Sequence, residues 1–142
     1  MEINYTVVGI PKPQARPKVF HRTLKSGKPF VSTYSPKSDW FHLVYTESLK
    51  IKNTLKNRLV GALELNLTFC MPIPKSISKK KREQLHYVTT KTGDLDNLSK
   101  GCMDAMTQAG IWEDDCQVAI LIASKTYSDE PRCEITIKQL EE

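Results

Sequence analysis

Asp94-Leu95-Asp96-Asn97-Leu98-Ser99-Lys100-Gly101-Cys102-Met103-Asp104-Ala105-Met106-Thr107-Gln108-Ala109-Gly110 is the stretch that decides how this chain folds. Leu95, Leu98, Cys102, Ala105, Met106 and Ala109 recur at three- and four-residue spacing, the period of one helix face. Gly110 follows as the stop, because glycine takes the left-handed conformation of a helix end without a Cβ penalty. The spacing predicts a helix over 95–109. The run 117–126 is strongly β-prone and predicts a strand directly after it.

Working outward, Ala62 to Cys70 alternates with period two, and Leu63, Leu65, Leu67 and Phe69 fall on the face to be buried. A strand is expected there, ended by Pro72 and Pro74. Ile3 to Ile10 reads as another strand, and Arg132 to Lys138 as the last. Asp129-Glu130-Pro131 suggests a hairpin turn joining the final two strands. Ser35-Pro36 reads as an N-cap followed by proline at the first helical position. Trp40, Val44, Ile51 and Leu55 continue from it at helical spacing to about Asn57. Residues 16–34 resemble two short strands around Lys25-Ser26-Gly27-Lys28, and 76–85 reads as a short, very basic helix with a serine cap. The order is β, β-hairpin, α, β, short α, α, β, β. It predicts an α+β chain: one two-layer domain over residues 1–142, with helices on one face of a mixed sheet and a basic N-terminal hairpin arm at about 11–34.

The 142 residues carry a formal charge of +5, which hides a split. Residues 1–38 hold seven Lys and Arg against Glu2 alone. Residues 94–115 hold six carboxylates against Lys100 alone. Basic proteins are drawn to polyanions, and a basic protein that gathers carboxylates has a reason to hold a cation among them. Lys12, Arg16, Lys18 and Arg22 of the arm, and Lys79, Lys80, Lys81 and Arg82, are the expected DNA contacts. A solvated edge hairpin that uses lysine against aggregation is the other reading of the arm.

No apolar run approaches membrane-spanning length; Val118 to Ala123 is six residues. No membrane association is expected, and the basic-then-apolar opening of a signal peptide is missing, so a cytoplasmic location is expected. Cys70, Cys102, Cys116 and Cys133 form no C-x-x-C pair, which makes neither a zinc site nor a disulfide framework the expectation.

Asp96, Lys100 and Asp104 stand four residues apart and share a helix face roughly opposite the apolar stripe. Asp94 precedes the helix. Glu113, Asp114 and Asp115 follow the Gly110 turn, and a tight return of the chain would bring Asp115 toward Asp94 and Asp96. Three converging aspartates suit Mg²⁺, which takes oxygen ligands and completes its shell with water and phosphate. Lys100 would then neutralise charge developing on a phosphate. Each residue also has a plainer reading. Asp94 or Asp96 can serve only as an N-cap, Lys100 only as a surface ion-pair partner, and Glu113-Asp114-Asp115 only as a polar turn.

The whole string is more specific than its parts. Asp94-x-Asp96-Asn97-Leu98-x-Lys100, then Asp104-Ala105, then Ala109-Gly110-Ile111-Trp112-x-Asp114-Asp115-x-Gln117-Val118, resembles the RusA family of Holliday junction resolvases. Pro11-Lys12-Pro13-Gln14-Ala15-Arg16-Pro17 and Tyr34-Ser35-Pro36 are similar to the N-terminal region of phage and prophage members, while 37–90 matches only in pattern. The resemblance implies a small homodimeric endonuclease that needs Mg²⁺, for which Mn²⁺ is expected to substitute, and that cuts four-way DNA junctions with paired nicks. The family's catalytic aspartates fall on Asp94, Asp96 and Asp115 and its essential lysine on Lys100. Asp104 aligns with an acidic position of structural or supporting role. Gly101, a poor helix former, is expected to loosen the helix after Lys100. A nuclease for another branched structure, such as a fork or flap, and a non-catalytic binding module are the competing readings.

Overall fold

Leu63, Leu65, Leu67 and Phe69 lie fully buried along one face of a single strand, and the molecule is built around it. The computed structural model describes residues 1–14, 18–34 and 37–141. In chain order the elements are β1 (Glu2–Val8), β2 (Lys18–Thr23), β3 (Pro29–Tyr34), α1 (Asp39–Thr54), β4 (Leu63–Pro72), α2 (Lys79–Arg82), α3 (Leu95–Ala109), β5 (Val118–Ser128) and β6 (Arg132–Gln139). A 3₁₀ turn at Asp115–Gln117 leads into β5.

Four strands form a mixed sheet in the order β1-β6-β4-β5. β4 runs antiparallel to β6 and parallel to β5, and β1 pairs antiparallel with β6. Register carries the sequence pattern into space: Val7 faces Cys133, Leu67 faces Ile135, and Leu65 faces Ile137, all on the buried side. α1 and α3 pack on that face, contributing Trp40, Val44, Leu98, Cys102, Ala105 and Met106 to one core. Each fully buried side chain of this size contributes about 1.5–3 kcal/mol, so the β4 face alone outweighs any surface interaction in the fold. Tyr5 ties β1 to α1 through a 2.7 Å hydrogen bond with Ser48, and burial raises its phenol pKa.

The α+β class and the one-sided helical layer agree with the sequence pattern. The last two strands do not form the expected hairpin, because β4 lies between β5 and β6. β4 has the longest unbroken apolar face, so it gains most from a partner on both sides. The short 129–131 connection permits this: two strand spacings span roughly 9.6 Å, and four extended residue steps reach roughly 13 Å.

Ser35 and Pro36 lie outside the described residues. The N-cap of α1 is Ser38, whose side chain accepts from the Phe41 N–H at 3.2 Å, and the helix ends at Thr54 rather than near Asn57. β2 and β3 do form a hairpin, a separate two-stranded sheet whose turn places Gly27 at φ 82°. α2 is shorter than the sequence suggests, four residues capped by Ser78, with all four side chains exposed. α3 runs unbroken through Gly101, so the expected loosening does not occur. A Cβ at Gly101 would meet Gln14 at 3.6 Å: the N-terminal segment crosses the helix here.

Candidate active site

α3 begins at an aspartate that does not cap it. Asp94 holds the N-cap position with extended backbone, and its carbonyl accepts from the Leu98 N–H at 2.9 Å. Its carboxylate makes no capping hydrogen bond. The plain N-cap reading of Asp94 therefore does not describe its side chain. Asp96 sits exposed in the first turn and Lys100 one turn further.

At the other end Gly110, at φ 85°, sends its N–H to the carbonyls of Met106 and Thr107 and reverses the chain. Ile111 and Trp112 then plunge fully into the core. The Trp112 indole donates to Thr107 Oγ1 at 2.7 Å, so the return is fixed to the helix it leaves. Asp114 and Gln117 close a reciprocal capping box around the 3₁₀ turn. Gln117 also donates to the carbonyls of Leu59 and Gly61, at 3.0 and 3.2 Å, which fastens the acidic turn to the start of β4.

This frame brings Asp115 to α3. Asp96, Ser99, Lys100, Met103, Asp115 and Leu121 line one open cleft of about 260 Å³. The Ser99 hydroxyl is buried and already donates to the Leu95 carbonyl at 2.8 Å, so it is a wall and no nucleophile. Burial, then Asp114 and Asp104, push the Asp115 carboxyl above its ordinary value, and Lys100 pulls against them. Asp114 lies below its ordinary value because the Cys116 N–H bonds to it. Of the adjacent pair, Asp114 holds the turn and Asp115 faces the cleft.

The other sequence candidates fall as follows. Asp94 borders a neighbouring depression of about 540 Å³ with Pro13, Gln14, Lys91 and Asn97. Asp104 accepts from Gln14 Nε2 at 2.5 Å and lies 3.6 Å from Lys100 Nζ, so it positions the lysine from the flank of the cleft. Lys12 is exposed, as are Lys79, Lys80, Lys81 and Arg82. Lys18 and Arg22 belong to β2, and Arg16 lies outside the described residues.

Three residues near the site carry roles that sequence reasoning left unassigned. Gln14 crosses α3 and holds Asp104, with its own N–H directed at the Asn97 carbonyl at 3.4 Å. Lys125, on β5, donates to the Gly93 carbonyl at 2.9 Å and tethers the loop that presents Asp94. Gln117 organises the acidic turn. Gln14 and Gln117 stand inside the motifs already quoted. Nothing in the sequence marks Lys125.

Among the described residues, no three His, Cys, Asp or Glu side chains lie close enough together to hold a metal ion. Two carboxylates, Asp96 and Asp115, nevertheless share the cleft. Mg²⁺ is commonly bound by one or two carboxylates, with water and substrate phosphate completing its octahedron, so this pair fits such an ion without forming an all-protein cage. No helix among the described residues is long and apolar enough to cross a membrane.

The family described as Endodeoxyribonuclease RusA matches residues 9–138. The uncharacterized protein YqaN of Bacillus subtilis is 34% identical over 97% of this chain and 96% of its own length. The crossover junction endodeoxyribonuclease RusA of Escherichia coli K12 is 32% identical over 84 residues, 58% of this chain and 65% of that protein. The RusA of Enterobacteria phage 82 matches to the same extent.

Proposed function

The chain belongs to the RusA endodeoxyribonuclease family, and from that premise we propose that it is an Mg²⁺-dependent, structure-specific endonuclease that resolves four-way DNA junctions by paired, symmetric cuts. The observation that carries the reading is the single cleft in which Asp96, Lys100 and Asp115 meet. Basic residues would bring the DNA backbone to it, with Lys12, Arg16, Lys18, Arg22 and the exposed run Lys79 to Arg82 as the contacts expected from the sequence.

Asp96 and Asp115 would hold the metal, with Asp94 joining as substrate brings the neighbouring depression into use. When bound, Mg²⁺ supplies Lewis-acid stabilisation of the phosphate and activates water at neutral pH. Mn²⁺, with the same preference for oxygen ligands, is expected to replace it. Lys100 places its ammonium over the cleft, held from behind by Asp104, where it neutralises charge on the phosphate oxygens. Asp115, lining the same cleft, would orient the attacking water. Met103 and Leu121 wall the cleft with apolar surface, which lowers the local dielectric and strengthens these interactions.

A four-way junction has approximate two-fold symmetry, and its resolution requires two cuts on strands of like polarity. A homodimer with two identical sites meets that requirement. We place the protein in the cytoplasm, where its DNA substrate lies, as an agent of recombination in a phage or prophage setting.

The test is cleavage of end-labelled synthetic four-way junctions, beside fork, flap and linear duplex controls, with and without Mg²⁺. Paired symmetric nicks confined to the junction, dependent on the metal and lost in Asp96→Asn, are expected. Preferred cutting of forks or flaps would move the substrate assignment. Tight junction binding with no cutting in Mg²⁺ or Mn²⁺ would make the chain a binding module.

A further inference from the structure

A cavity of about 230 Å³ opens on one flank of α3, round the helix from the cleft of Asp96, Lys100 and Asp115. It lies between the 12–14 segment, the first turn of α1 with Trp40 and Phe41, and Gly101 and Asp104 of α3. Pro13 and Gln14 also border the depression of Asp94, and Asp104 pairs with Lys100. The cavity therefore adjoins both parts of the candidate active site without containing either.

Its walls combine three kinds of surface. Phe41 and Pro13 are flat and apolar, and Gly101 puts no side chain into the space. Lys12 and Lys37 are exposed at its rim, and Lys37 Nζ stands 4.3 Å from the centre of the Phe41 ring. Asp104 is already engaged by Gln14 and Lys100, so the charge left unanswered is positive. The third kind is a donor. Trp40 is 3% exposed, and its indole N–H is buried with no hydrogen-bond partner among the described residues. A Cβ built at Gly9 would meet Trp40 Cζ3 and Cε3 at 3.5 and 3.6 Å, so the N–H lies on the ring edge away from Gly9. Buried donors are rarely left unpaired in a finished structure, and one beside a cavity calls for an acceptor from a ligand.

We propose that this cavity captures one unstacked nucleobase of the DNA substrate, whose edge accepts from the Trp40 indole and whose neighbouring phosphate lies between Lys12 and Lys37. Sites for drug-sized ligands start at roughly 300 Å³, so this one suits a smaller, flat group such as a single base. Aromatic walls stack on the face of any base, and base edges carry the ring nitrogens and carbonyls that an N–H donor needs. Lysines at the rim suit the phosphate that comes with every base. An apolar peptide would leave both lysines and the indole unanswered, and a free anion would leave the aromatic walls unused. Taking a base out of the stack costs least where pairing is already disturbed, as at a branch point. The cavity is thus a subsite that reads base identity beside the cut, while the cleft acts on the phosphate. DNA as the ligand rests on the reading under Proposed function, whereas the cavity, its rim charge and its unpaired donor rest on geometry.

The experiment uses the full chain and synthetic four-way junctions in EDTA. A single 5-iododeoxyuridine is placed at successive positions on either side of the branch point, the complex is irradiated, and the cross-linked residue is mapped by mass spectrometry. Cross-links to Trp40 or Phe41 are expected from one or two adjacent positions, and severalfold fewer with Lys12→Gln/Lys37→Gln, whose exposed side chains the fold does not need. The four bases are then compared at the mapped position by binding titration. Wild type should discriminate among them by roughly tenfold, the scale of one hydrogen bond. Trp40→Phe, which keeps a ring in the core and removes the N–H, should lose most of that discrimination while binding the best base within severalfold of wild type. Cross-links that map elsewhere, or that reach Trp40 and Phe41 equally from every position, overturn the base pocket. Full discrimination in Trp40→Phe overturns it as well. Paired cutting of junctions without these cross-links would leave the nuclease reading standing without the pocket; registered cross-links in a chain that cuts nothing in Mg²⁺ or Mn²⁺ would do the reverse.

Discussion

Asp114 and Gln117 hold each other in place: the Asp114 carboxylate accepts from the Gln117 backbone N–H in the capping box, and from the Cys116 N–H at 2.9 Å, while Gln117 Oε1 accepts from the Asp114 N–H at 3.2 Å. The residue between them in function, Asp115, is left to face the cleft. Neighbouring, chemically identical carboxylates thus have separate tasks. Asp114→Asn is expected to lower the melting temperature slightly and keep cutting within a few-fold of wild type. Asp115→Asn should reduce cutting by roughly 100-fold or more, the scale of losing a group that acts on the transition state. Equal loss in both variants would contradict the division. Gln117→Ala removes both sides of the clamp and should cost about 1–2 kcal/mol together with a drop in cutting, since Asp115 is no longer held.

Asp115 is also predicted to carry a stability cost. Its folded-state pKa is raised, chiefly by burial and by Asp114, so the folded protein binds that proton more tightly than the unfolded chain. The cost of ionisation is complete above the folded pKa and fades as pH falls toward the ordinary carboxylate range. In EDTA at pH 7, Asp115→Asn should therefore melt at or above the wild-type temperature, with the difference shrinking on acidification. Melting curves from pH 7 to pH 4 measure it; a variant less stable throughout would refute the sign.

Gly101 tests whether the crossing of Gln14 demands glycine. A Cβ there reaches only ordinary contact, at 3.6 Å, and the backbone is regular helix. Gly101→Ala should stabilise the protein by up to about 1 kcal/mol through helix propensity. Gly101→Leu should destabilise it by displacing Gln14 and freeing Asp104. Thermal melts of the two variants should move in opposite directions.

Lys79, Lys80, Lys81 and Arg82 form an exposed helix with no buried residue, so nothing in the fold requires their charge. If each neutralises one phosphate, replacing all four with glutamine should reduce the slope of log K against log salt by roughly 3–4, at 0.9 per contact. Binding titrations between 50 and 300 mM salt read this directly. Unchanged slope with unchanged melting temperature would exclude this helix from the DNA contact surface.

What the sequence by itself determined was local. Apolar spacing from Leu95 to Ala109 and the glycine after it placed α3 to the residue, and alternation from Leu63 to Phe69 placed β4, because helix and strand periods are properties of the chain alone. The string of aspartates and Lys100 was legible for the same reason. Tertiary structure decided the rest. β4 entered between β5 and β6, against the expectation of a hairpin, because strand order is set by which strand buries most on both sides and not by the turn that joins neighbours. The partition of Asp96 and Asp115 into one cleft and Asp94 into the next depends on where the Trp112 anchor and the Gln117 clamp bring the returning chain. Lys125 reaching the Gly93 loop follows from a contact 32 residues apart, which no local pattern encodes.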